Sequence, residues 1–452
     1  MANVESRNKN TLDIAIIGSG IVGLVLSLGL VRRDVYVKVY EQASSLREIG
    51  LGVAFSANAI KCMRRIHPDV EAALRAVATP NGGADDPNNL LRFVDGYNQV
   101  SDTEPHQQRP LFDMDMGKGA FEGCHRAHLL AELAKRMPEG SLVFGKRLSA
   151  LQTNGPEGRI KLHFEDGTTT QADSVIGCDG IKSRVRRIIL GADNPASYPT
   201  YSDHVCYRAL IPMDRAVAVL GKDIARNNYV HCGPKAHVVH FPVAEQTAVS
   251  VAAFAIDTSR HWSSKDDFIE PTTRKEVQAV FSHFGKTVRD IINLLPEELV
   301  KWAIFDSYEF PVPFYSSGVV CIAGDAAHAA APHHGAGAGI GVEDSLCIST
   351  LLDLVSKAVV EGKHNKYEAL VAAFKVYDAV RKPRCHWLVD SSHNICGLYE
   401  WQDPEIGDDP LKCRKELEWR SHKIWFFNID GMLTEASKMF EEGLKSVIKN
   451  DG

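Results

Sequence analysis

Residues 14–31, IAIIGSGIVGLVLSLGLV, constrain this chain more than any other segment, because the run is almost wholly apolar yet carries Gly18, Gly20, Gly23 and Gly29. A helix of this length could just span a bilayer core, and a secretory signal has an apolar stretch of similar kind. The glycines, the acidic Asp13 ahead of the run and the lack of a small-residue cleavage site behind it argue against both. The run leads instead into Arg32-Arg33-Asp34 and the alternating stretch VYVKVYE, which ends in Glu41. The pattern is strand, turn, helix, strand, with Gly18-Ser19-Gly20-Ile21-Val22-Gly23 spelling G-x-G-x-x-G between LDIAIIG and the helix. In that setting the first glycine permits the tight turn, the second lets a pyrophosphate approach the backbone, and the third lets helix and strand pack closely. The free N–H groups at the helix start face the phosphates. Glu41 is placed to accept hydrogen bonds from a ribose 2′-hydroxyl. The segment predicts a bound dinucleotide, and the motif alone leaves FAD and NAD both open.

The remaining composition suits a water-soluble protein with two domains or so: 452 residues, 44% hydrophobic, 24% charged, formal net charge −6. This mildly acidic balance gives no electrostatic ground for a nucleic acid or an anionic membrane surface as partner. Ten cysteines are scattered without a C-x-x-C pair, which predicts reduced, buried thiols and a cytoplasmic location.

Three further segments point to a flavin. SVIGCDGIKSRVRR, residues 174–187, reads as a buried strand, a turn carrying Asp179-Gly180 and a basic helix start. GVVCIAGDAAHAAAPHHGAGAGIGVEDSL, residues 318–346, runs from a strand into Gly324-Asp325, then through a loop with Gly335, Gly337 and Ala338 that opens a helix. An aspartate ending such a strand can take ribityl hydroxyls, and N–H groups at a helix start suit a flavin pyrimidine edge or a pyrophosphate. Arg126, in the amphipathic stretch CHRAHLLAELAKRM, could lie beside the cofactor phosphates. Taken singly, each segment also reads as an ordinary turn, a solvated charge or close packing.

In this order along one chain, the four segments resemble the group A FAD-dependent aromatic hydroxylases, the fold of p-hydroxybenzoate and salicylate hydroxylases. VRRDVYVKVYEQASSLREIGLGVAFSANAIKCM, APHHGAG and RSHKIW resemble most closely the fungal polyketide monooxygenases that dearomatise resorcinol-type phenolic aldehydes in tropolone, sorbicillinoid and azaphilone pathways. The resemblance implies an α/β fold in which a Rossmann-like FAD-binding domain, residues 1–80, 120–190 and 310–380, carries an inserted sheet-based substrate domain, residues 81–119 and 191–309. Residues 381–452 form a C-terminal helical segment, read as packing on the FAD domain or on a second copy in a homodimer. FAD is the implied cofactor. No second G-x-G-x-x-G unit is present, so NADPH or NADH must dock transiently as reductant.

Reduced flavin and O2 give a C4a-hydroperoxide whose distal oxygen is electrophilic, so the substrate must be electron-rich and the protein must position it. A fixed cation that favours phenolate over phenol speeds that transfer. Arg208, in the apolar strand HVCYRALIPM, is the candidate cation, and relatives of the resembled group have an arginine at the matching place; the alternative is an ion pair within the sheet. The resemblance also places His237, Phe241 and Phe121 at the substrate, with His240 on the same strand. Some relatives have tyrosine where this chain has Phe241 and Phe121, so a second group to hold the phenolate must come from elsewhere, with Tyr207, Tyr229 and His237 as candidates. Pro332 would sit near the reactive flavin edge, and His333 and His334 could shape that pocket or relay a proton. His328, His333 and His334 lack zinc spacing and a carboxylate or thiolate companion, so no metal is expected.

The expected activity is FAD- and NAD(P)H-dependent hydroxylation, with dearomatisation, of a resorcinol-type phenolic aldehyde. The alternative is a salicylate hydroxylase-type reaction releasing carbon dioxide, with Arg208 holding a carboxylate. An isoprenoid epoxidase and a non-catalytic escort of prenylated GTPases use the same fold.

Overall fold

The computed structural model describes residues 11–46, 52–83, 86–100, 106–117, 122–153, 155, 158–264, 267–362 and 364–450. Phe121 lies outside the described residues. A six-stranded sheet runs in the order Ser316–Ser317, Val320–Ile322, Ser174–Gly177, Asp13–Ile17, Tyr36–Tyr40, Leu142–Val143, all parallel except the first. From the central strand Asp13–Ile17 the chain crosses to Tyr36–Tyr40 on one side and later fills Ser174–Gly177 on the other. The carboxyl end of that strand is therefore a topological switch point, where open α/β sheets bind ligands.

The helix Ile21–Val31 is buried on nearly all sides, between this sheet and the long helix Gly337–Val360. A helix that is apolar all round belongs in a core when protein surrounds it. Among the described residues no helix is long and apolar enough to cross a membrane. The turn before it needs its glycines: Gly18 has φ +100°, and a Cβ there would stand 2.5 Å from the Cys178 carbonyl oxygen. A Cβ on Gly23 would overlap the Gly18 carbonyl oxygen, so helix and turn can pack this closely only without one.

The second large sheet has eight strands in the order Ile269–Thr273, Glu298–Asp306, Thr200–Pro212, Ala248–Ile256, Ala236–Val243, Asn228–Gly233, Leu90–Asp95, Pro110–Asp115. Its strands pair antiparallel, apart from the parallel pair of Asn228–Gly233 with Leu90–Asp95. One face carries its own core of Tyr207, Ile211, Val251 and Ala253 with Phe281, Ile291 and Leu295. The other face is covered in part by the C-terminal helices, where Phe93, Phe112 and Val230 meet Ile395, Leu398 and Leu417.

Those helices are Lys366–Tyr399, Pro410–Trp425 and Ile429–Asn450. The first runs straight through residue 380, the edge expected for the FAD domain, and contains Pro383. Proline lacks a donor and crowds the preceding turn, yet here buried ion pairs of Arg381 and Arg384 on either side hold the helix in place. One helix thus ties the parallel sheet to the eight-stranded sheet. All ten cysteines are buried and unpaired, as expected from their spacing.

Candidate functional site

An open cleft of about 1490 Å³ begins at the carboxyl end of the central strand and is lined by Gly18, Gly20, Glu41, Arg126, Asp179 and Gly180. Lys146, Arg147, Lys182, Arg184 and Arg187 add positive charge to its wall. A Cβ placed on Gly20 meets nothing within 4 Å, so the bare backbone faces the cleft. That is the approach a pyrophosphate requires, and with the cationic wall the cleft fits FAD. Arg126 opens the helix Arg126–Ala134 at this wall.

Two acidic residues of the expected set do more local work than the sequence suggests. Glu41 Oε2 accepts from the Ser19 backbone N–H at 2.8 Å and from its hydroxyl at 2.9 Å, and Oε1 accepts from the Ala43 backbone N–H at 2.9 Å, which fixes the glycine turn at the cleft wall. Asp179 accepts from the Ser183 hydroxyl at 2.5 Å and from the backbone N–H groups of Arg184 and Val185 at 2.7 and 3.1 Å. Its carboxylate therefore caps the helix Arg184–Leu190, and what Asp179 and Gly180 offer the cleft is chiefly backbone. Burial pushes the Asp179 carboxyl up, against the pull of those hydrogen bonds.

Gly324, at φ +61°, donates its N–H to Asp344 Oδ2 at 3.0 Å, and Asp325 is exposed at the start of the short helix Asp325–His328. Pro332 is exposed, His333 and His334 are partly buried, and Gly335 closes their turn in the left-handed region at φ +61°. Gly337 and Ala338 come next, at the start of the helix Gly337–Val360. This second group does not line the large cleft; His334 and Gly335 instead face a small cavity with Ala54, Ser56, Glu343 and Arg384.

Buried charge locks the two cofactor-side segments together. Arg186 donates to the carbonyls of Ile181, Ser197, Asp325 and Ala326, clamping the Asp-Gly turn to Gly324-Asp325. Asp344 is held by His328 Nε2 at 2.5 Å and Arg381 Nε at 2.8 Å, and Glu343 by Arg381 and Arg384 at 2.9 and 2.7 Å. Ligand atoms of His328, Asp344 and Cys385 lie within 4.8 Å of one another, but the Arg381 guanidinium already sits on that carboxylate. His333 and His334 do not join them, since His334 Nε2 bonds Ser391 and the His333 ring turns toward His237. Arg381→Met leaves two buried carboxylates short of their cation and is expected to cost about 3–5 kcal/mol of stability, read as a lower urea midpoint.

On the eight-stranded sheet, side chains alternate between faces, and the register decides which residues meet. Arg208 pairs with Ala252, Ala252 with Val239, His237 with Phe254, and Phe241 with Ser250. Arg208, His237 and Phe241 thus share one face, together with His204 and Cys206. His240 lies on the opposite face, bonded to His231 and the Ile224 carbonyl, and so leaves the site. Tyr207 and Tyr229 also point away: their hydroxyls bond Glu276 and Asp223. Neither can hold a phenolate on the Arg208 face.

The strand Gly52–Phe55 crosses over that face. Arg208 Nη2 donates to the Gly52 carbonyl at 3.3 Å, and a Cβ on Gly52 would come within 2.6 Å of the Phe241 ring. Among the described residues Arg208 forms no ion pair, which removes the alternative of a structural salt bridge within the sheet. Burial lowers its pKa, and nearby Arg126 pushes the same way.

A family profile described as FAD binding domain matches residues 11–376. This chain belongs to that family. It is an FAD-dependent monooxygenase of the salicylate hydroxylase type, which removes the escort alternative. It is 46% identical over 448 residues, 98% of the chain and 99% of the relative, to the FAD-dependent monooxygenase orf3 of Aspergillus niger. It is 45% identical to the salicylate hydroxylase asL1 of Sarocladium schorii, over 97% of the chain and 93% of the relative. A solved salicylate hydroxylase substrate complex superposes with TM-score 0.80 at 28% identity, covering 95% of this chain and 98% of that one.

Around the site stand further residues that the sequence reading did not single out: Arg186, Asp344, Arg381, His204 and Glu400. Glu400, at the end of the helix Lys366–Tyr399, is fully buried and accepts from His237 Nδ1 at 2.9 Å and His204 Nε2 at 3.1 Å. Burial favours the neutral acid, but the two histidines win and hold Glu400 down at about 2. Burial likewise opposes charge on His204, and its bonds to Cys396 and Glu400 raise it to about 11. Burial keeps His334 neutral, lowered to about 3, and His240 at about 4, and holds His333 well below the usual range.

These shifts set the pH dependence of stability. The depressed histidines contribute stability above about 6.5 that is lost as pH falls toward 3, and Glu400 adds loss below about 4.5. The raised His204 contributes stability that is complete below about 6.5 and is lost as pH rises toward 11. The unfolding midpoint of the monooxygenase is expected to peak near neutrality and fall on both sides; a scan of midpoint against pH checks it.

Proposed function

We propose that the monooxygenase hydroxylates a resorcinol-type phenolic aldehyde, with dearomatisation, using NADPH or NADH and O2. The observation that carries this reading is Arg208: a half-buried guanidinium on the inner face of the sheet, bonded to one carbonyl and paired with no carboxylate among the described residues. A largely desolvated cation of this kind calls for an anionic partner, and a phenolate supplies one on the most electron-rich form of the ring. The resemblance of the APHHGAG and RSHKIW segments to dearomatising enzymes supports the same substrate class.

FAD would lie along the cleft of Gly18, Gly20, Glu41, Arg126 and Gly180, toward Gly324, Asp325, Gly335, Gly337 and Ala338. Once reduced by the nicotinamide, it supplies the activation of O2. The chain's own task is to hold the ring as phenolate with Arg208, to pack it against Phe241 and to keep water from the site with Pro332 and His333. We place the part of this work done by Arg208 and Phe241 in the substrate domain, residues 81–119 and 191–309, and the part done by Pro332 and His333 in the FAD-binding domain.

A second reading, decarboxylative hydroxylation of a salicylate, is favoured by the relative and the solved structure named salicylate hydroxylase. Product analysis separates the two. Incubation of FAD-loaded protein with NADPH, O2 and either 2,4-dihydroxy-3-methylbenzaldehyde, whose methyl-bearing carbon has no proton to lose and so cannot re-aromatise, or salicylate is expected to give a hydroxylated dienone from the aldehyde, whereas carbon dioxide and catechol from salicylate alone would favour the second reading.

A further inference from the structure

The formal net charge of −6, from which no anionic surface is expected as partner, averages over an uneven exterior. Along the helix Pro410–Trp425 and the residue that ends it, no exposed side chain is acidic. Lys412, Arg414, Lys415, His422 and Lys423 alternate there with Leu411, Trp419 and Phe426. The two carboxylates of the helix, Glu416 and Glu418, are half-buried and pair with Arg420 at 2.6 Å and Arg414 at 4.0 Å. We propose that this face docks on a lipid bilayer carrying anionic head groups, with Leu411, Trp419 and Phe426 entering the boundary between head groups and acyl chains.

The helix period gathers these residues. At about 3.6 residues per turn, Leu411, Lys415, Trp419, His422, Lys423 and Phe426 fall within one arc of about 120°. Cys413, Leu417 and Ile424 lie opposite and are buried against the rest of the chain. The helix is thus apolar on two sides, one toward its own protein and one toward the outside. Leu411, 78% exposed, is the most exposed large apolar side chain among the described residues, Phe426 is 64% exposed, and Trp419, at 44%, is the one exposed tryptophan. Three such side chains on one face mark a surface for contact. Trp419 is also held ready: its indole N–H donates to Glu416 Oε2 at 2.8 Å, and the Arg420 guanidinium lies 4.9 Å from its ring centre. A ring already fixed loses little freedom on docking.

Charge selects the partner. A second copy in a two-fold contact would set this face against itself, lysine against lysine, and like charges in an interface are strongly unfavourable. An acidic protein would satisfy the charge, but protein contacts concentrate their energy in a compact, packed centre. Here Leu411 and Trp419 stand about 12 Å apart along the helix, and Trp419 and Phe426 about 10 Å, with lysines between them. Separate anchors of this kind suit a fluid apolar layer that receives each side chain singly. Tryptophan and lysine also lie well at a bilayer boundary, since the indole is amphipathic and the lysine stem is apolar below its charged tip. The nearest exposed acids along the chain lie beyond the helix ends: Glu405 and Asp408 before it, and Asp430 after it, where Arg65 pairs with Asp430 at 2.6 Å.

The docked face is close to the site. On the inner side of the same helix, Ile424 borders the small cavity with His334 and Gly335. One helix thickness therefore separates the bilayer from the loop expected beside the flavin, and an apolar substrate dissolved in lipid is met at that surface. The proposal does not depend on which phenol is the substrate.

Co-sedimentation of the FAD-loaded protein with vesicles of equal parts phosphatidylcholine and phosphatidylserine tests it. The wild type is expected to sediment with these vesicles, to bind pure phosphatidylcholine vesicles far more weakly and to be released by salt. Lys412→Gln, Lys415→Gln and Lys423→Gln together are expected to weaken binding about 100-fold, the combined effect of three lysines near an anionic surface. Leu411→Ser with Phe426→Ser, which leaves the charge unchanged, is expected to weaken it about tenfold or more. Tryptophan emission should shift to the blue on binding, and the shift should be lost in Trp419→Phe. None of these residues lines the cleft or the Arg208 face, so FAD loading and NADPH oxidation in solution should match the wild type and show that each variant folds. Failure of the wild type to sediment with the anionic vesicles overturns the proposal, as does equal binding by the triple lysine variant. A dimer that Phe426→Ser disperses, with no vesicle binding, assigns the face to a second copy and overturns it. Salt-sensitive binding to polyglutamate but not to the vesicles overturns it in favour of an acidic protein.

Discussion

Arg208→Ala is expected to lower kcat/KM for the phenolic aldehyde by about 10²–10³-fold, the usual loss on removing a fixed charge partner from a water-excluded site, while the protein stays yellow. The cofactor should remain because Arg208 does not line the cleft, its hydrogen bond goes to the Gly52 carbonyl, and its removal only relieves Arg126 of a like charge. Stability should change little, since no carboxylate is left unpaired by its removal. Arg208→Lys separates charge from shape. A lysine restores a point charge but not the planar fork, so partial recovery identifies electrostatics as the main contribution. Steady-state rates with flavin absorbance as the loading control provide the measurement, and unchanged turnover in Arg208→Ala would take the residue out of the site.

Gly20→Leu is expected to abolish FAD binding in a protein that still folds. The separation comes from the geometry of the turn. At Gly18 or Gly23 a side chain would strike the Cys178 or Gly18 carbonyl, so either change would damage the fold as well. At Gly20 the added Cβ meets nothing within 4 Å, and the backbone there has φ −68°, which any residue adopts. The bulk therefore enters the cleft where a pyrophosphate would approach. Colourless, soluble protein with near-normal helical circular dichroism is the expected result. A fully yellow variant would contradict the placement of the cofactor along this turn.

The cofactor segments are legible in the sequence because they are local. Strand, glycine turn, helix and Glu41 occupy one stretch of chain, and Gly18 and Gly23 take the turn and packing roles their spacing implies, while Gly20 leaves bare backbone at the cleft. Arg208 is legible too, since a lone arginine in an apolar strand must find a partner. The limits are equally specific. Alternation along HVCYRALIPM places His204 and Arg208 on one face, so a period of two contains the signal for His204 once the strand is known. Alternation also separates His237 from His240, three positions apart on one strand. Glu400 carries no such signal: it meets His237 and His204 only because the helix Lys366–Tyr399 runs on through Pro383 to the eight-stranded sheet. Asp179 reads in the sequence as a cofactor ligand, whereas its carboxylate is largely taken up by the cap of the next helix. Long-range packing decides such cases, and no local spacing encodes it.

The central claim, an FAD monooxygenase whose flavin answers to a phenolic aldehyde, is tested most directly by anaerobic reduction. The purified, FAD-loaded protein is mixed with NADPH without oxygen, and bleaching of the blue flavin absorbance is followed alone, with 2,4-dihydroxybenzaldehyde and with salicylate. The account predicts that the aldehyde accelerates bleaching and that salicylate does not. Acceleration by salicylate alone would contradict it.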